Sequence, residues 1–427
     1  MNSLLICLGK LISVISRTFN AGSGSTWPGH IALSLSPNFI KQVLKKNSVQ
    51  VILIAGTNGK TTTGKLIQTI LEKNGQKVFQ NQAGANLLNG IASSLIANSN
   101  YDGMINKDFA IFEIDENTLP LILKEIYSPD YVIILNLFRD QLDRYGEVNA
   151  IAGNWSNSLS KINKKTTLIL NADDPQIAFL GKFHANSLYF GIDPNNKTAK
   201  AQYASDSTYC QDCKNKLVYK STYFSHLGDW LCAKCKYKHP ENTFTSSPFY
   251  PLSGVYNQYN TNAAVLLAQN LGFKKEKITA SLKGFKPAFG RQEILNANGK
   301  KIQIFLSKNP TGFNESLKTI VKLKARNLLL LLNDRIPDGR DVSWIWDVDF
   351  EDFSSQFENI VVSGDRVFDL GLRLKYAEFK NFHTEEDLTK AVDIAVGKTP
   401  KNETLYIFPT YSAMLEVRKI LTGKKIL

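Results

Sequence analysis

The stretch Val51-Ile-Leu-Ile-Ala-Gly-Thr-Asn-Gly-Lys-Thr-Thr-Thr63 decides the reading of this chain. Its first five residues are apolar and rich in β-branched side chains, which suits a strand buried on both faces. The chain then turns through Gly56 and Gly59, and a helix is predicted from Lys60. Glycines let backbone N–H groups come close to a phosphate, and the start of the new helix adds the positive end of its dipole. Lys60 supplies a point charge, and the Thr61 hydroxyl suits Mg²⁺. The general phosphate loop places four residues between its first glycine and its Gly-Lys pair. Here only Thr57 and Asn58 intervene. The expected cradle for a nucleotide is therefore Gly56, Thr57, Asn58, Gly59, Lys60, Thr61 and Thr62.

Outward from this loop, residues 50–192 alternate between short apolar runs (51–55, 109–114, 131–137 and 167–170) and polar helical stretches. That rhythm predicts a parallel sheet with crossover helices. It breaks between about 199 and 246, where Cys, Lys and Tyr gather, and resumes with a helix near 257–271. Gly, Pro and Gly punctuate 284–291, a predicted boundary. A second α/β unit follows, with strands expected at 301–305, 327–332, 359–362 and 404–408 and helices at 315–324, 385–396 and 413–421. The expected division is an N-terminal helical segment (1–48), a nucleotide-binding domain (49–288) carrying an insertion (199–246), and a smaller C-terminal α/β domain (289–427).

The chain has 427 residues, too many for one ordinary domain, with 43% hydrophobic and 21% charged residues, as expected of a soluble protein with true cores. No run approaches the roughly 20 apolar residues that span a bilayer. Residues 1–19 are apolar and weakly basic, with Lys10 inside the apolar run, which a secretory signal would not have. They read as an amphipathic helix, first a packing element, with membrane-surface contact as the alternative. The net charge of +13 points to anionic partners such as a nucleotide, a phosphorylated substrate or a membrane. Nucleic acid is the generic alternative, but Lys and Arg are spread along the chain rather than gathered in a block, and the charge alone does not decide; no nucleic-acid partner is expected from the chain taken as a whole.

Four of the five cysteines form two pairs, Cys210-x-x-Cys213 and Cys232-x-x-Cys235, separated by 18 residues. Two such knuckles complete a tetrahedral thiolate site for Zn²⁺ with no open position, which makes it structural. Tyr209, Leu217, Tyr219, Trp230 and Leu231 around them suit small hairpins. Two unrelated redox pairs are the competing reading. A reducing, cytoplasmic location fits this cysteine usage.

Gly56-Thr-Asn-Gly-Lys-Thr-Thr62 resembles the ATP loop of Mur ligases and folylpolyglutamate synthases, and further matches follow in that family's order. Glu113 ends an apolar run where the family places a Mg²⁺-binding Glu. Asn136-Leu-Phe-Arg-Asp-Gln-Leu-Asp-Arg-Tyr-Gly146 and Asn171-Ala-Asp-Asp-Pro175 are similar to two of its segments. In Gly254-Val-Tyr-Asn-Gln-Tyr-Asn260 the resemblance gives Asn257 a contact with adenine. Arg291 falls where an Arg opens the third domain, and Lys308-Asn-Pro310 resembles that domain's His-Asn-Pro. Gln141, Tyr145, Tyr256 and Lys308 stand where the family has histidines. Gln141 offers Mg²⁺ only a neutral carbonyl.

The four-cysteine insert, Asn309-Pro-Thr-Gly-Phe-Asn314 and Asp338-Gly-Arg-Asp341 narrow the resemblance to the MurT family, the ligase-like subunits of lipid II isoglutaminyl synthase. The resemblance implies an α/β fold, a Mur ligase-type central P-loop domain with an inserted zinc ribbon followed by a smaller α/β domain. It also implies ATP, Mg²⁺ and Zn²⁺ as cofactors. The implied reaction phosphorylates the α-carboxylate of D-glutamate in lipid II and replaces the phosphate by ammonia, giving D-isoglutamine for peptidoglycan synthesis at the inner face of the plasma membrane. Lys60 and Glu113 are the implied catalytic residues. Thr61 and Glu113 are the implied Mg²⁺ ligands, and Asn171, Asp173, Asn257 and Arg291 join the loop in binding the nucleotide. Ammonia would come from a GatD-like glutaminase partner in a heterodimer. Cys7 is the one cysteine outside the insert, and His30, His184, His226, His239 and His383 lie in no nucleophile motif, so the chain is expected to lack a glutaminase site. An Asp of this subunit would complete the partner's Cys-His pair. Asp341 is the expected one, with Asp334, Asp347 and Asp349 as competitors. Trp344 and Trp346 beside it read as core, or as part of an interface. Two other readings stay open: a ligase that adds an amino acid, and a non-enzymatic nucleotide-binding scaffold with a zinc ribbon.

Overall fold

The computed structural model describes residues 2–18, 26–81, 84–139, 148–193, 206–241 and 243–423. Three helices come first: α1 (Asn2–Thr18), α2 (Trp27–Leu35) and α3 (Phe39–Lys46). Strand β1 (Gln50–Ala55) leads into α4 (Lys60–Lys73), β2 (Val78–Gln80), α5 (Leu88–Asn98), β3 (Phe109–Glu113), α6 (Leu119–Glu125) and β4 (Tyr131–Ile134). Then come α7 (Val148–Leu159), β5 (Thr167–Asn171), α8 (Pro175–Leu180) and β6 (Ser187–Phe190). The hairpin β7 (Leu217–Phe224) and β8 (Leu227–Cys232), the short β9 (Thr243–Phe244), α9 (Val255–Asn270) and α10 (Lys275–Lys283) follow.

The first sheet has the order β2-β3-β1-β4-β5-β6-β9, and every pairing in it is parallel. Strand β1 is central, and its alternating side chains feed two cores. Val51, Leu53 and Ala55 pack with residues of α3, α5, α6 and α7. Ile52 and Ile54 face α4 and α9. A strand covered on both faces must be apolar throughout, and the unbroken run 51–55 in the sequence reflects this. Residues 284–290 lead to the second sheet.

That sheet is built from β10 (Arg291–Ala297), β11 (Lys300–Phe305), β12 (Asn327–Leu331), β13 (Asn359–Ser363), β14 (His383–Thr384) and β15 (Thr404–Pro409), in the order β10-β11-β15-β12-β13-β14. Only β10 and β11 pair antiparallel. Its helices are α11 (Pro310–Lys322), α12 (Val367–Tyr376), α13 (Leu388–Lys398) and α14 (Tyr411–Thr422). The four strands expected after residue 291 all form. Strands β9 and β14, two residues each, and the strand β10 had no clear apolar run to announce them. The α/β architecture with a parallel sheet and a second C-terminal unit is the one the sequence predicts.

Candidate active site

The loop after β1 opens at the carboxyl end of the parallel strands, where open α/β sheets place their ligands. Gly56 and Gly59 have φ of +135° and +93°, conformations that side chains other than glycine's resist. A Cβ on Gly59 would stand 2.0 Å from Asn260 Oδ1 of α9, so the close approach also demands glycine. The loop is held from a distance. The Asn58 N–H donates to Asn136 Oδ1 (2.9 Å), and Asn136 Nδ2 donates to the Asn58 carbonyl (3.0 Å). The Thr57 hydroxyl accepts the Phe138 N–H at 3.0 Å and donates to the Phe138 carbonyl at 3.2 Å. Helix α4 begins at Lys60, and the Thr63 N–H is bonded to the Gly59 carbonyl. The N–H groups of the turn before Thr63 have no carbonyl partner within the helix, which makes this turn an anion-binding end.

Charged side chains of both signs converge here. Lys60 Nζ donates to the Gly56 carbonyl and lies 3.0 Å from Glu116 Oε1. The Thr61 hydroxyl donates to Glu113 Oε2 at 2.8 Å. Burial pushes the Glu113 carboxyl above its ordinary 4.5, against the Thr61 hydrogen bond and the charges of Lys60 and Arg291. Glu116 is also buried, yet its carboxyl is held below the ordinary value because the charges of Lys60 and Lys308 and its hydrogen bonds outweigh that burial. Two carboxylates three residues apart are thus driven in opposite directions. Glu116 was not singled out from the sequence. The signal available was an acid three residues past the end of a buried strand.

The second sheet's unit supplies the opposite wall. Asn309 caps α11 by accepting the Gly312 N–H (2.8 Å), and its Nδ2 donates to Asn58 Oδ1 (3.0 Å). Arg291, Lys308 and Ser316 line the crevice opposite Asn58, Gly59, Thr62, Asn257 and Asn260. Burial lowers the Arg291 guanidinium, and Glu113 pulls it back up. Gln292 ties the units together by donating to the Ser253 carbonyl and the Tyr256 hydroxyl, both at 2.8 Å. Asn257 donates to the Ser253 carbonyl (2.7 Å) and accepts from Asn260 Nδ2 (3.2 Å).

Asn171 and Asp173 lie elsewhere. Asn171 is fully buried at the end of β5, donates to the Leu135 carbonyl at 2.8 Å and accepts the Asp173 N–H at 3.0 Å. Asp173 accepts the Tyr259 hydroxyl (2.7 Å) and the Ile192 N–H (3.1 Å) and meets His239 Nε2 at 2.7 Å. Asp173 holds the cysteine-bearing insert and α9 against the end of β5, Asn171 ties that end to Leu135, and neither is among the residues that line the crevice. Gln141 and Tyr145 fall outside the described residues.

In the insert the four cysteine sulfurs lie within 4.8 Å of one another, with Cys210–Cys235 at 3.6 Å and Cys213–Cys232 at 3.4 Å. The two knuckles match. The Lys214 N–H bonds the Cys210 carbonyl and the Lys236 N–H the Cys232 carbonyl, both at 3.0 Å, with φ of +61° and +64° at the two lysines. Tetrahedral thiolates about 2.3 Å from one Zn²⁺ stand about 3.8 Å apart, so the donor set fits that ion. Trp230, fully buried, anchors the hairpin by donating to the Ala172 carbonyl at 3.0 Å.

After β12, at the start of the segment that packs against α11, Asp341 is exposed and accepts the Ser343 N–H at 2.8 Å; hydrogen bonds from the Ser343 hydroxyl and N–H lower its carboxyl. Two of its competitors are more engaged: Asp334 pairs with Arg366 (3.0 Å), and Asp349 accepts from Asn314 Nδ2 (2.9 Å). Asp338 is buried on Ser412, and Asp347 is exposed. The two tryptophans divide. Trp344 is half-buried against Phe313, whereas Trp346 is 49% exposed, edge-on to Tyr376.

Comparison with known proteins agrees with this geometry. The family model of the Mur ligase middle domain matches residues 54–268, and that of the MurT ligase C-terminal domain matches residues 306–414. The chain is 33% identical over 405 residues to the lipid II isoglutaminyl synthase (glutamine-hydrolyzing) subunit MurT of Staphylococcus aureus, with 90% of each chain covered. It is 32% identical over 441 residues to the MurT subunit of Streptococcus pneumoniae, covering 97% of this chain and 95% of that one. Among solved structures, a pseudomurein peptide ligase type C from Methanothermus fervidus aligns with a TM-score of 0.66 at 23% identity, over 90% of this chain and 81% of that one. MurF ligase from Thermotoga maritima in complex with ADP aligns at 0.64 and 14%, over 91% and 83%. These two likenesses concern the fold alone. The middle-domain and C-terminal matches, joined to identity along nearly the whole length, show that the chain belongs to the MurT family of Mur ligases.

Proposed function

We propose that this chain is the ATP-dependent, amide-forming subunit of a lipid II isoglutaminyl synthase in peptidoglycan biosynthesis. The observation that carries this is the convergence of Lys60, Thr61 and Glu113 at the phosphate loop, faced across one crevice by Arg291 and Lys308. Phosphoryl transfer needs charge neutralisation and in-line positioning more than covalent help. Lys60 holds the terminal phosphates once it exchanges the Gly56 carbonyl for them, and Glu116 keeps its ammonium aimed. Thr61 and Glu113 hold Mg²⁺, which neutralises phosphate charge when bound. Asn257 lies at the adenine end of the crevice. Arg291 and Lys308 approach the carboxylate of D-glutamate in lipid II. Transfer of the γ-phosphoryl group to that carboxylate gives an acyl phosphate. Ammonia then attacks the carbonyl carbon, phosphate leaves, and D-isoglutamine remains.

Four Cys around Zn²⁺ make the insert a structural ribbon, and Asp173 braces it through His239. The division at 49–288 and 289–427 puts the phosphate loop on one unit and the acceptor-side cations on the other. A GatD-like glutaminase supplies ammonia, and the exposed carboxylate of Asp341 orients the partner's Cys-His pair. The chain works at the inner face of the plasma membrane, where lipid II lies. No helix among the described residues is long and apolar enough to cross a membrane.

The test incubates the chain, without partner, with ATP, Mg²⁺, lipid II and ammonium. The expected product is lighter than lipid II by about one dalton, the mark of amidation. A product that forms only with an added amino acid would replace this reading by an amino-acid-adding ligase.

A further inference from the structure

Helix α1 buries Leu5, Ile6 and Gly9, and a Cβ on Gly9 would stand 2.9 Å from Ile96 of α5 and 3.4 Å from Pro28 of α2. Its opposite face is apolar as well. Leu4 (73% exposed), Leu8, Leu11 and Ile15 recur at the i, i+4, i+7, i+11 spacing of one helical stripe, and all four are exposed. Trp27, next to the Pro28 that touches α1, is 60% exposed, and Leu35 at the end of the same helix is 61% exposed. A helix that packs on one side and offers leucines to solvent on the other has a second contact to make.

Charge identifies that contact. The first acidic residue in the chain is Glu72, and seven Lys and Arg precede it: Lys10, Arg17, Lys41, Lys45, Lys46, Lys60 and Lys65. Lys41 and Lys45 of α3 are exposed. Lys46 and the Ser3 hydroxyl both donate to the Asp102 carbonyl, which brings the basic end of α3 to the start of α1. Lys10 Nζ sits 5.1 Å from the centroid of the Tyr101 ring beside them. The Asp102 carboxylate, the acid that these contacts bring near, accepts the Met104 N–H at 3.1 Å. An apolar stripe next to an acid-poor, lysine-bearing surface matches an anionic lipid bilayer, into whose interface such helices lie flat.

We infer that α1, with Trp27 and Leu35, docks this chain on anionic phospholipid, its leucine stripe in the acyl boundary and the lysines of α3 at the headgroups. The inference deepens the proposed function by naming the surface that meets the membrane of a lipid-linked substrate, and its test contains no such substrate, so the two can fail separately.

The test is flotation of the full chain with vesicles of phosphatidylcholine alone or mixed with phosphatidylglycerol, at low and high salt. The chain is expected to float with the mixed vesicles and to lose most of that binding in pure phosphatidylcholine or high salt. Leu8→Gln with Leu11→Gln, both solvent-facing, should keep the unfolding temperature and weaken binding at least ~10-fold. Lys41→Gln with Lys45→Gln should weaken binding to mixed vesicles alone. Absence of flotation with either lipid, or flotation indifferent to the leucine pair, overturns the inference. So does a dimer in light scattering that the leucine pair converts to monomer, since a second copy would then own the stripe.

Discussion

The phosphate loop and the cysteine insert solve the same problem in opposite ways. The insert carries its own organisation: two matched knuckles, each closed by a local N–H to carbonyl bond, bring four thiols together within 26 residues of chain. The loop at 56–59 carries almost none. Its peptide is clamped by Asn136, its glycine is pressed by Asn260 of α9, and its tip is touched by Asn309 of the second unit. One site stands on local turns; the other stands on three distant parts of the fold. Damage near the loop should therefore spread into catalysis, and damage to the insert into stability.

The largest effect is expected at Lys60. Lys60→Ala should lower turnover by at least ~10³-fold with ammonium and with glutamine alike, since the lost charge serves phosphoryl transfer whatever the nitrogen source. Turnover retained with either donor would remove Lys60 from the chemistry. Next comes the insert. Cys232→Ser should reduce bound zinc from about one per chain and lower the melting temperature, because binding energy of a structural site is folding energy. Full zinc content with an unchanged melt would mean the thiols do not form that site. Asp341→Ala should cut glutamine-driven turnover about 100-fold while sparing ammonium-driven turnover, as expected of a group that orients the partner's base. Equal loss in both assays would reject that role.

A smaller effect sharpens the comparison. Asn136→Ala deletes both arms of the loop clamp and should cost about 1–3 kcal/mol, read as a higher KM for ATP with a modest fall in melting temperature. The smallest concerns pH. Glu113 is raised by burial, so its folded form binds a proton above the pH where a free carboxyl loses it. Mg²⁺ binds the ionised form, so affinity for magnesium nucleotide should fall as pH drops through that raised value, and Glu113→Gln should flatten the profile. Glu116 has the opposite sign: its lowered carboxyl favours the fold above the ordinary 4.5 and loses that contribution as pH falls further.

The same contrast explains what could be read from the sequence. Features written in a local run of residues were legible, whatever holds them in the fold: the glycine-punctuated loop, the cysteine pairs, and the apolar runs of β1, β3, β4 and β5. Glu113 was legible through its place in a family order. Glu116 was not, because its partner Lys60 lies 56 residues away, and only the sheet brings them to 3.0 Å. Asn171 and Asp173 follow the family's motif, yet their side chains turn inward to hold Leu135, Tyr259 and His239. Local pattern does not specify which way the end of a strand aims its polar groups. Helix α1 packs, as expected, yet its leucines leave a second apolar face. Their periodicity marks a helix, and only the placement of α2 and α5 shows which apolar face is left over.

Calorimetric titration of magnesium ATP into the purified chain tests the central claim, that the turn after β1 grips the nucleotide's terminal phosphates. Saturable binding to the native chain is expected, weakened at least ~10-fold by Lys60→Ala. No binding to the native chain, or equal binding to both, would contradict it.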